Sequence, residues 1–310
     1  MHYVDEGQGP VVLCLHGNPT WSFLFRNLIG ALQHDFRVIA PDHVGCGLSD
    51  QPADIFFTAA ERIAHLEELL DELKIGRFSL VMHDWGGPLG TGLAVRRPAD
   101  VERLVYLNTL LGKPGLLPGM IRRAASPLTG RLLTRQTRQF VNLLTSPAAA
   151  RSLPSDIKRG YHHPYRTRAS RQAIWGFVRD IPFRESHPTA TTLGDMLARL
   201  PVLADKPVRI VWGMRDPCFH PEILRDVVGR FPAADVVRIP KASHLVLEDA
   251  PEQATAAIVD FLRGHPARDS TPTPHPAQPL PQATIAAATE AQPSAGGLYE
   301  ALRSAAAAIP

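Results

Sequence analysis

Short runs of apolar, β-branched residues recur along the first part of the chain. They lie at 11–15, 37–40, 78–82 and 104–107, most end in a turn rich in Gly, Pro, Asp or Asn, and stretches with helical spacing lie between them. Runs of this length that are apolar throughout are typical of strands buried on both faces. Strands that alternate with helices predict an α/β fold, with a mostly parallel central sheet flanked by helices.

The clearest helix is predicted between the second and third of these runs, over 58–73. Leu and Ile recur there at helical spacing from residue 63 onwards, which gives the segment one apolar face. Thr58 and Glu61 stand three positions apart at its start, the spacing of a capping box.

The alternation stops between about 112 and 192, where the chain is helical in pattern, rich in Leu and Arg, and broken by prolines. This indicates a helical cap at 112–192 inserted into a core formed by 1–111 and 193–264. The core pattern resumes with strands at 208–212 and 236–239.

The last predicted core element is a helix over 251–262. Beyond residue 264, prolines lie among Thr, Gln and Ala, a composition that predicts a linker or tail at 265–310. Residues 298–302 regain helical spacing. They either dock on a partner, begin a further module, or form a frayed end.

Composition and charge narrow the function classes. The 310 residues are 45% hydrophobic and 20% charged, which suits one large globular domain with an insertion. Lys and Arg total 33 against 30 Asp and Glu, so the charge of +3 gives no reason to expect a nucleic acid partner. We expect no transmembrane segment, because no apolar run reaches membrane-spanning length. Three cysteines without metal-ligand spacing favour a reducing compartment, and we expect a cytoplasmic protein.

The apolar run 78–82 ends in His-Asp-Trp-Gly-Gly at 83–87, and a helical pattern follows. A sharp strand-to-helix turn lifts its central side chain, here Asp84, clear of the sheet. A carboxylate at that place can attack carbon without first losing a proton. Asp84 is therefore predicted to be a nucleophile.

Two further residues are predicted to act with it. His244 follows the last strand and is suited to take a proton from the water that hydrolyses an ester. Asp216 follows the strand at 208–212, where a carboxylate can hold the imidazole; the alternative is an aspartate that caps the helix near Pro221. The other place for such an acid, after 104–107, holds Asn108, which strengthens the case for Asp216.

Asn18 and Trp85 are predicted to bind the developing negative charges. Their backbone N–H groups suit an oxyanion hole, and their side chains offer neutral N–H donors for a departing halide or another anion. The alternatives are a turn-forming asparagine and a tryptophan that packs in the core.

Four segments carry a resemblance to a known family: 16–22 (HGNPTWS), 41–50 (PDHVGCGLSD), 81–87 (VMHDWGG) and 243–248 (SHLVLE). They resemble the haloalkane dehalogenase family of α/β-hydrolases, over about residues 2–262. The resemblance implies the α/β-hydrolase fold with an inserted helical cap and no metal or organic cofactor. It also implies a small apolar substrate and water as the reactants.

For the site, the resemblance implies Asp84 as nucleophile, His244 as base, Asp216 as acid, and Asn18 with Trp85 as the halide pair. This combination resembles the third subfamily. That branch is similar to the β-lactone decarboxylases of long-chain olefin biosynthesis, which release carbon dioxide and an alkene.

Some of those decarboxylases are fused to an adenylate-forming ligase, so the Pro-rich tail suggests a ligase partner or fusion. Members of the family usually have a further N-terminal stretch that supplies the first strand. We therefore expect either a start further upstream or a sheet that lacks one edge strand.

Carbon–halogen hydrolysis is the leading expectation, and β-lactone decarboxylation is the alternative. Epoxide hydrolysis would use tyrosines of the cap such as Tyr161 and Tyr165, but Asn18 argues against it. An inactive scaffold that binds a ligase is disfavoured because every required functional group is present.

Two features of the cap have alternative interpretations. Trp175 either contacts substrate or packs inside the cap. The arginines between 122 and 138 form a solvated face or, as the lesser alternative, a protein-docking patch.

Overall fold

The computed structural model describes residues 1–52, 56–147, 149–151 and 153–264. The linker or tail predicted at 265–310, with the helical spacing at 298–302, lies outside the described residues.

A sheet of seven strands forms the centre of the described chain, in the order β1-β3-β2-β4-β5-β6-β7. Every neighbouring pair is parallel except β1 with β3, which is antiparallel. The strands are β1 Tyr3–Glu6, β2 Val11–Leu15, β3 Arg37–Pro41, β4 Phe78–Asp84, β5 Val101–Thr109, β6 Val208–Gly213 and β7 Asp235–Ile239. The prediction of a mostly parallel sheet flanked by helices is confirmed.

Helices flank this sheet, and those of the predicted cap fall between β5 and β6 in the chain. They are α1 Arg26–Leu32, α2 Ala59–Glu72, α3 Gly86–Arg96, α4 Gly119–Ala124, α5 Pro127–Gly130, α6 Gln139–Leu144, α7 Ser155–His162, α8 Gln172–Arg179, α9 Pro188–Arg199, α10 Pro221–Arg230, α11 Val246–Asp249 and α12 Pro251–Gly264. A π-helical segment, Arg131–Gln136, joins α5 to α6.

Local sequence explains where these elements begin. The capping box predicted for α2 is present: the Thr58 side chain accepts from the Glu61 backbone N–H, and the Glu61 carboxylate accepts from the Thr58 N–H. Strand β4 is buried along its whole length, as its uninterrupted apolar pattern predicts.

The edge strand β1 was not evident from the sequence. It contains only four residues, and two of them are acidic. Its position depends on pairing with β3 and on the ion pair between Asp5 and Arg37, which closes at 2.6 Å. Both contacts join residues that are distant in the chain.

Of the predicted cap helices, α4, α6 and α8 contribute side chains to the cavity that Asp84 also lines. Helix α9 packs against α2 and α3 of the core. The predicted boundary after residue 192 falls inside α9, so the division between cap and core stays a prediction.

Among the described residues, no helix is long and apolar enough to cross a membrane.

Candidate active site

Asp84 stands at a sharp turn between β4 and α3. Its φ of 52° lies in the left-handed region, which a non-glycine residue occupies only when the surrounding structure enforces it. The Thr109 hydroxyl donates to the Asp84 carbonyl at 2.6 Å and helps to hold this backbone. The turn places the carboxylate at the carboxyl end of β4, where it lines a cavity.

Glycines beside Asp84 let three chain segments approach each other closely. A Cβ at Gly17 would come within 2.0 Å of Asp84 Oδ1, and one at Gly86 within 2.0 Å of the Leu15 carbonyl oxygen. Any side chain at either position would force the backbone apart. The two glycines therefore set the distance between the turn, β2 and the loop after β2.

Backbone N–H groups already contact the Asp84 carboxylate. The Asn18 N–H donates to Oδ1 at 2.7 Å, and the Trp85 N–H also donates to the carboxylate. The Asn18 side chain donates to the Ile174 carbonyl of α8 at 3.1 Å, so this amide joins the site to the cap. Asn18 and Trp85 both line the cavity above Asp84.

His244 and Asp216 form the second part of the site. Asp216 Oδ2 lies 2.9 Å from His244 Nδ1. Asp216 Oδ1 accepts from the backbone N–H groups of Cys218 at 2.7 Å and Phe219 at 2.9 Å. Because Nδ1 is engaged, Nε2 is the ring nitrogen available to water or substrate, and His244 lines the same cavity as Asp84.

Asn108 has a role that the sequence did not reveal. It follows β5, and its Nδ2 donates to Asp216 Oδ2 at 2.8 Å while its Oδ1 accepts from the Gly213 N–H at 2.8 Å. In the sequence, Asn108 indicates only that no acid follows the apolar run 104–107. The structure makes it a fourth donor to the buried carboxylate.

His83 lies beside the base. The rings of His83 and His244 are 4.7 Å apart, and His83 Nε2 is 3.0 Å from the His244 carbonyl oxygen. A carbonyl can only accept, so Nε2 carries the hydrogen. Burial first, then the neighbouring His244 charge, lowers the pKa of His83 to about 3, so the ring is neutral. His83 therefore supports the backbone of His244 without adding charge.

The pKa shifts of the three central groups have different causes. Burial raises the pKa of Asp84, and the positive charge of His244 and the N–H donors only partly offset it. Burial alone would lower the pKa of His244, but the charge and hydrogen bond of Asp216, with a contribution from Asp84, raise it above the usual value. Burial opposes ionisation of Asp216, yet His244 and the two N–H donors hold its pKa below the usual range.

The segment after His244 is tied to the cap. Asp249 accepts from the Ser243 N–H through Oδ2 and from the Arg151 N–H of the cap through Oδ1, each at 2.6 Å. Charge-assisted hydrogen bonds of this kind are stronger than neutral ones. One carboxylate thus links the residue before the base to the cap.

Glu248 makes a second link. It forms a bidentate ion pair with Arg26, at 2.5 and 2.8 Å, and accepts a short hydrogen bond from the Tyr161 hydroxyl. The Tyr165 hydroxyl donates to the Thr20 carbonyl at 3.3 Å. Neither tyrosine lines the cavity, so neither stands where a cap tyrosine would protonate an opening epoxide.

The cavity above Asp84 has a volume of about 190 Å³ and an almost wholly apolar lining. Of the described residues that line it, only Asp84 and His244 have ionisable carboxyl or imidazole groups. Trp175 packs edge-on against Phe56 with the rings 5.0 Å apart and does not line the cavity, in agreement with the cap-core interpretation. The apolar lining comes mostly from the cap, through Leu117, Met120, Ile121, Phe140, Leu143, Leu144, Val178 and Ile181.

The described residues contain no cluster of three or more His, Cys, Asp or Glu side chains arranged to hold a metal ion.

Comparison with known proteins decides the family. The family model described as alpha/beta hydrolase fold matches residues 10–251. A cis-3-alkyl-4-alkyloxetan-2-one decarboxylase from Shewanella oneidensis is 37% identical over 84% of this chain and 85% of that protein. Haloalkane dehalogenase 2 from Mycobacterium tuberculosis is 34% identical over 84% of this chain and 90% of that protein.

This chain belongs to the haloalkane dehalogenase family of α/β-hydrolases. It is accordingly an enzyme, and its relatives include both haloalkane dehalogenases and β-lactone decarboxylases. The crystal structure of an ancestral haloalkane dehalogenase superposes on it with a TM-score of 0.76 and 27% identity, over 85% of this chain and 95% of the other.

Proposed function

We propose that this enzyme forms a covalent ester on Asp84 with an apolar substrate and hydrolyses a carbon–halogen bond. The observation that carries the proposal is the Asp84 carboxylate, held at the turn with Oδ1 on the Asn18 N–H and placed at the base of an apolar cavity. Burial makes the carboxylate less well solvated and so a stronger nucleophile toward carbon.

In the first step, Asp84 Oδ2 attacks the sp3 carbon that bears the halogen. A carbon–oxygen bond forms, the carbon–halogen bond breaks, and the halide leaves with the electron pair. Asn18 and Trp85, which line the cavity, are assigned to the departing halide. An apolar lining favours this step because it excludes water from the halide and the carboxylate.

In the second step, His244 Nε2 takes a proton from water, and the hydroxide attacks the ester carbonyl. The negative charge then develops on Oδ1, which accepts from the Asn18 N–H, and the Trp85 N–H also donates to the Asp84 carboxyl group. Asp216 stabilises the imidazolium, and His244 returns the proton to the leaving alkoxide. Asp84 is left as a carboxylic acid and releases its proton to solvent, which restores the carboxylate. The products are an alcohol, a halide and a proton.

The second candidate is decarboxylation of a β-lactone, which the 37% identical decarboxylase supports. Asp84 would attack the ring carbon and break its bond to the ring oxygen, which leaves as a carboxylate. Loss of carbon dioxide would then form the alkene and expel Asp84 unchanged. This route consumes no water, whereas carbon–halogen hydrolysis does.

One experiment distinguishes the two. Purified enzyme is incubated with 1-bromohexane and, separately, with a long-chain cis-β-lactone, and bromide and alkene are measured. Bromide release supports the first reaction and alkene the second. Asp84→Asn should lower the rate of bromide or alkene formation by at least about ten-thousandfold. A wild-type rate in this variant would show that Asp84 is not the nucleophile.

The cellular location and the partner of this enzyme are also proposed. A cytoplasmic location is supported by the free cysteines Cys14, Cys46 and Cys218. A ligase partner or fusion is supported by the composition of 265–310. Co-purification of the native protein with an adenylate-forming ligase would test the latter.

A further inference from the structure

The charge of this enzyme is distributed very unevenly. The whole chain has a net charge of only +3, but residues 112–192 contain fourteen Lys and Arg against three Asp and Glu. The rest of the sequence contains nineteen basic and twenty-seven acidic residues. The cap is therefore strongly positive and the remainder negative, which gives the molecule a preferred orientation near a charged surface.

The positive charge is concentrated in the first half of the cap. No acidic residue occurs between Glu102 and Asp156. This is the stretch that supplies most of the apolar lining of the cavity, through α4, α6 and the residues before α4. The stretch between Glu102 and Asp156 therefore supplies both apolar residues that line the cavity and a high density of basic residues.

Large apolar side chains are exposed within this cationic stretch. Met120 is 53% exposed and Leu132 is 56% exposed, whereas most side chains of their size are buried. Arg122, Arg123 and Arg131 are exposed beside them in the sequence. Helices α4 and α5 and the π-helical segment that hold these residues contact one another, so they form one patch.

The patch lies where the cavity meets the surface. Met120 lines the cavity above Asp84 and is also more than half exposed, so the cavity opens beside α4. Arg122 and Arg123 follow Met120 in the same helix.

From this arrangement we propose that the patch formed by Met120, Arg122, Arg123, Arg131 and Leu132 docks on the surface of an anionic phospholipid bilayer. Arginines attract the phosphate-rich surface, and apolar side chains among them enter the interface. An acidic protein would satisfy the arginines but gives no reason to expose two large apolar side chains between them. Docking would place the cavity entrance against the phase in which an apolar substrate dissolves. The proposal does not depend on which reaction the enzyme performs.

The test is sedimentation of the purified enzyme with vesicles, measured at low and high salt. Wild type should bind vesicles made of an equimolar mixture of phosphatidylcholine and phosphatidylglycerol, more strongly at low salt than at high salt. It should not bind vesicles of phosphatidylcholine alone. The variant Arg122→Gln/Arg123→Gln/Arg131→Gln should bind on the order of a hundredfold more weakly, since each basic residue near such a surface contributes about 1 kcal/mol. The charge-preserving Arg-to-Lys triple variant should bind like wild type.

Two further variants complete the test. Met120→Ser/Leu132→Ser should weaken binding by about tenfold or more, because the interface loses its apolar contacts. Removing three exposed charges from the core, by Arg225→Gln, Arg238→Gln and Lys241→Gln, should leave binding unchanged. Three results would overturn the proposal. The first is absence of wild-type binding, the second is equal loss in the core control, and the third is normal binding by the serine variant, which would assign the patch to an acidic protein. Melting curves verify that each variant is folded.

Discussion

The two walls of the active-site cavity are built in different ways. On the core side, Asp216 accepts four hydrogen bonds, from Asn108, His244, Cys218 and Phe219. On the cap side, the wall consists of aliphatic and aromatic side chains, which offer no directional bonds. Hydrogen bonds fix positions within a few tenths of an ångström, whereas apolar contacts tolerate changes of shape.

This difference suggests how one family contains two kinds of enzyme. The core wall sets the carboxylate, the base and the acid. Carbon–halogen hydrolysis requires all three, and lactone opening requires the carboxylate. The cap wall sets which apolar molecule fits. Changes to the core wall should therefore alter the chemistry of every substrate, and changes to the cap wall should alter only the choice among substrates.

The largest effect on the core side is expected from Asp216→Asn. The amide keeps the shape but loses the charge that stabilises the imidazolium, so kcat for ester hydrolysis should fall by about ten-thousandfold. The exposed Asp205→Asn is the matched control and should leave kcat unchanged. A loss of less than about tenfold would show that Asp216 is not the acid.

The pH profile sharpens the same point. Hydrolysis needs neutral His244, whose pKa Asp216 raises above the ordinary value of about 6.5. Single-turnover hydrolysis of the ester should therefore decline as the pH falls through a value above 6.5. In Asp216→Asn the residual activity should persist to lower pH, because burial then lowers the pKa of His244 without the opposing charge of Asp216. An unchanged acid limb would contradict the assignment.

Asn108→Ala should have a smaller effect, of about tenfold on kcat. A hydrogen bond to a charged group contributes about 1.5–3 kcal/mol, and only one of the four bonds to Asp216 is lost. With its charge less neutralised, Asp216 should hold the imidazolium more strongly, so the acid limb should move to higher pH. Loss of stability alone would not produce that movement. Asn142→Ala, at an exposed position of α6, serves as the control.

Glu248→Gln tests the connection between the walls. It removes the partner of the mostly buried Arg26 and weakens the bond from Tyr161, so the free energy of unfolding should fall by about 3 kcal/mol. Glu248 does not line the cavity. The change in kcat should therefore be smaller than the change that Asp216→Asn or Asn108→Ala causes. Thermal unfolding measures the effect, with the exposed Glu68→Gln as the reference.

The smallest effect on the chemistry is expected from Ile181→Ala in the cap wall. It enlarges the cavity, so bulkier substrates should gain relative to 1-bromohexane, while the absolute kcat for 1-bromohexane should change less than about tenfold. Exposed Val202→Ala is the control. If kcat for 1-bromohexane falls as much in Ile181→Ala as in Asp216→Asn, the two walls do not have separate roles.

The sequence predicted the parts of this molecule that depend on neighbouring residues. Buried parallel strands are apolar throughout, so β2, β4 and β6 were evident, and the turn at Asp84 was readable because its residues are consecutive. Chain order then suggested His244 and Asp216, which the structure brings together, although their roles stay predictions.

Distant contacts that neither a local pattern nor the chain order marks were not predictable. Asn108 contacts Asp216 across 108 positions of sequence, and Asp249 contacts Arg151 across 98. No local pattern marks such pairs. The exposure of Met120 and Leu132 was equally hidden, because an apolar residue in a helical pattern is normally expected to face inward.

The most direct test of the account is to trap the ester on the enzyme. The variant His244→Phe lacks the base that activates water, so it should form the ester with 1-bromohexane but fail to hydrolyse it. Mass spectrometry of the digested protein should find the substrate-derived group on the peptide that contains Asp84, and not in the double variant with Asp84→Asn. If wild type consumes the substrate while this peptide remains unmodified in the trapped enzyme, covalent catalysis by Asp84 is wrong.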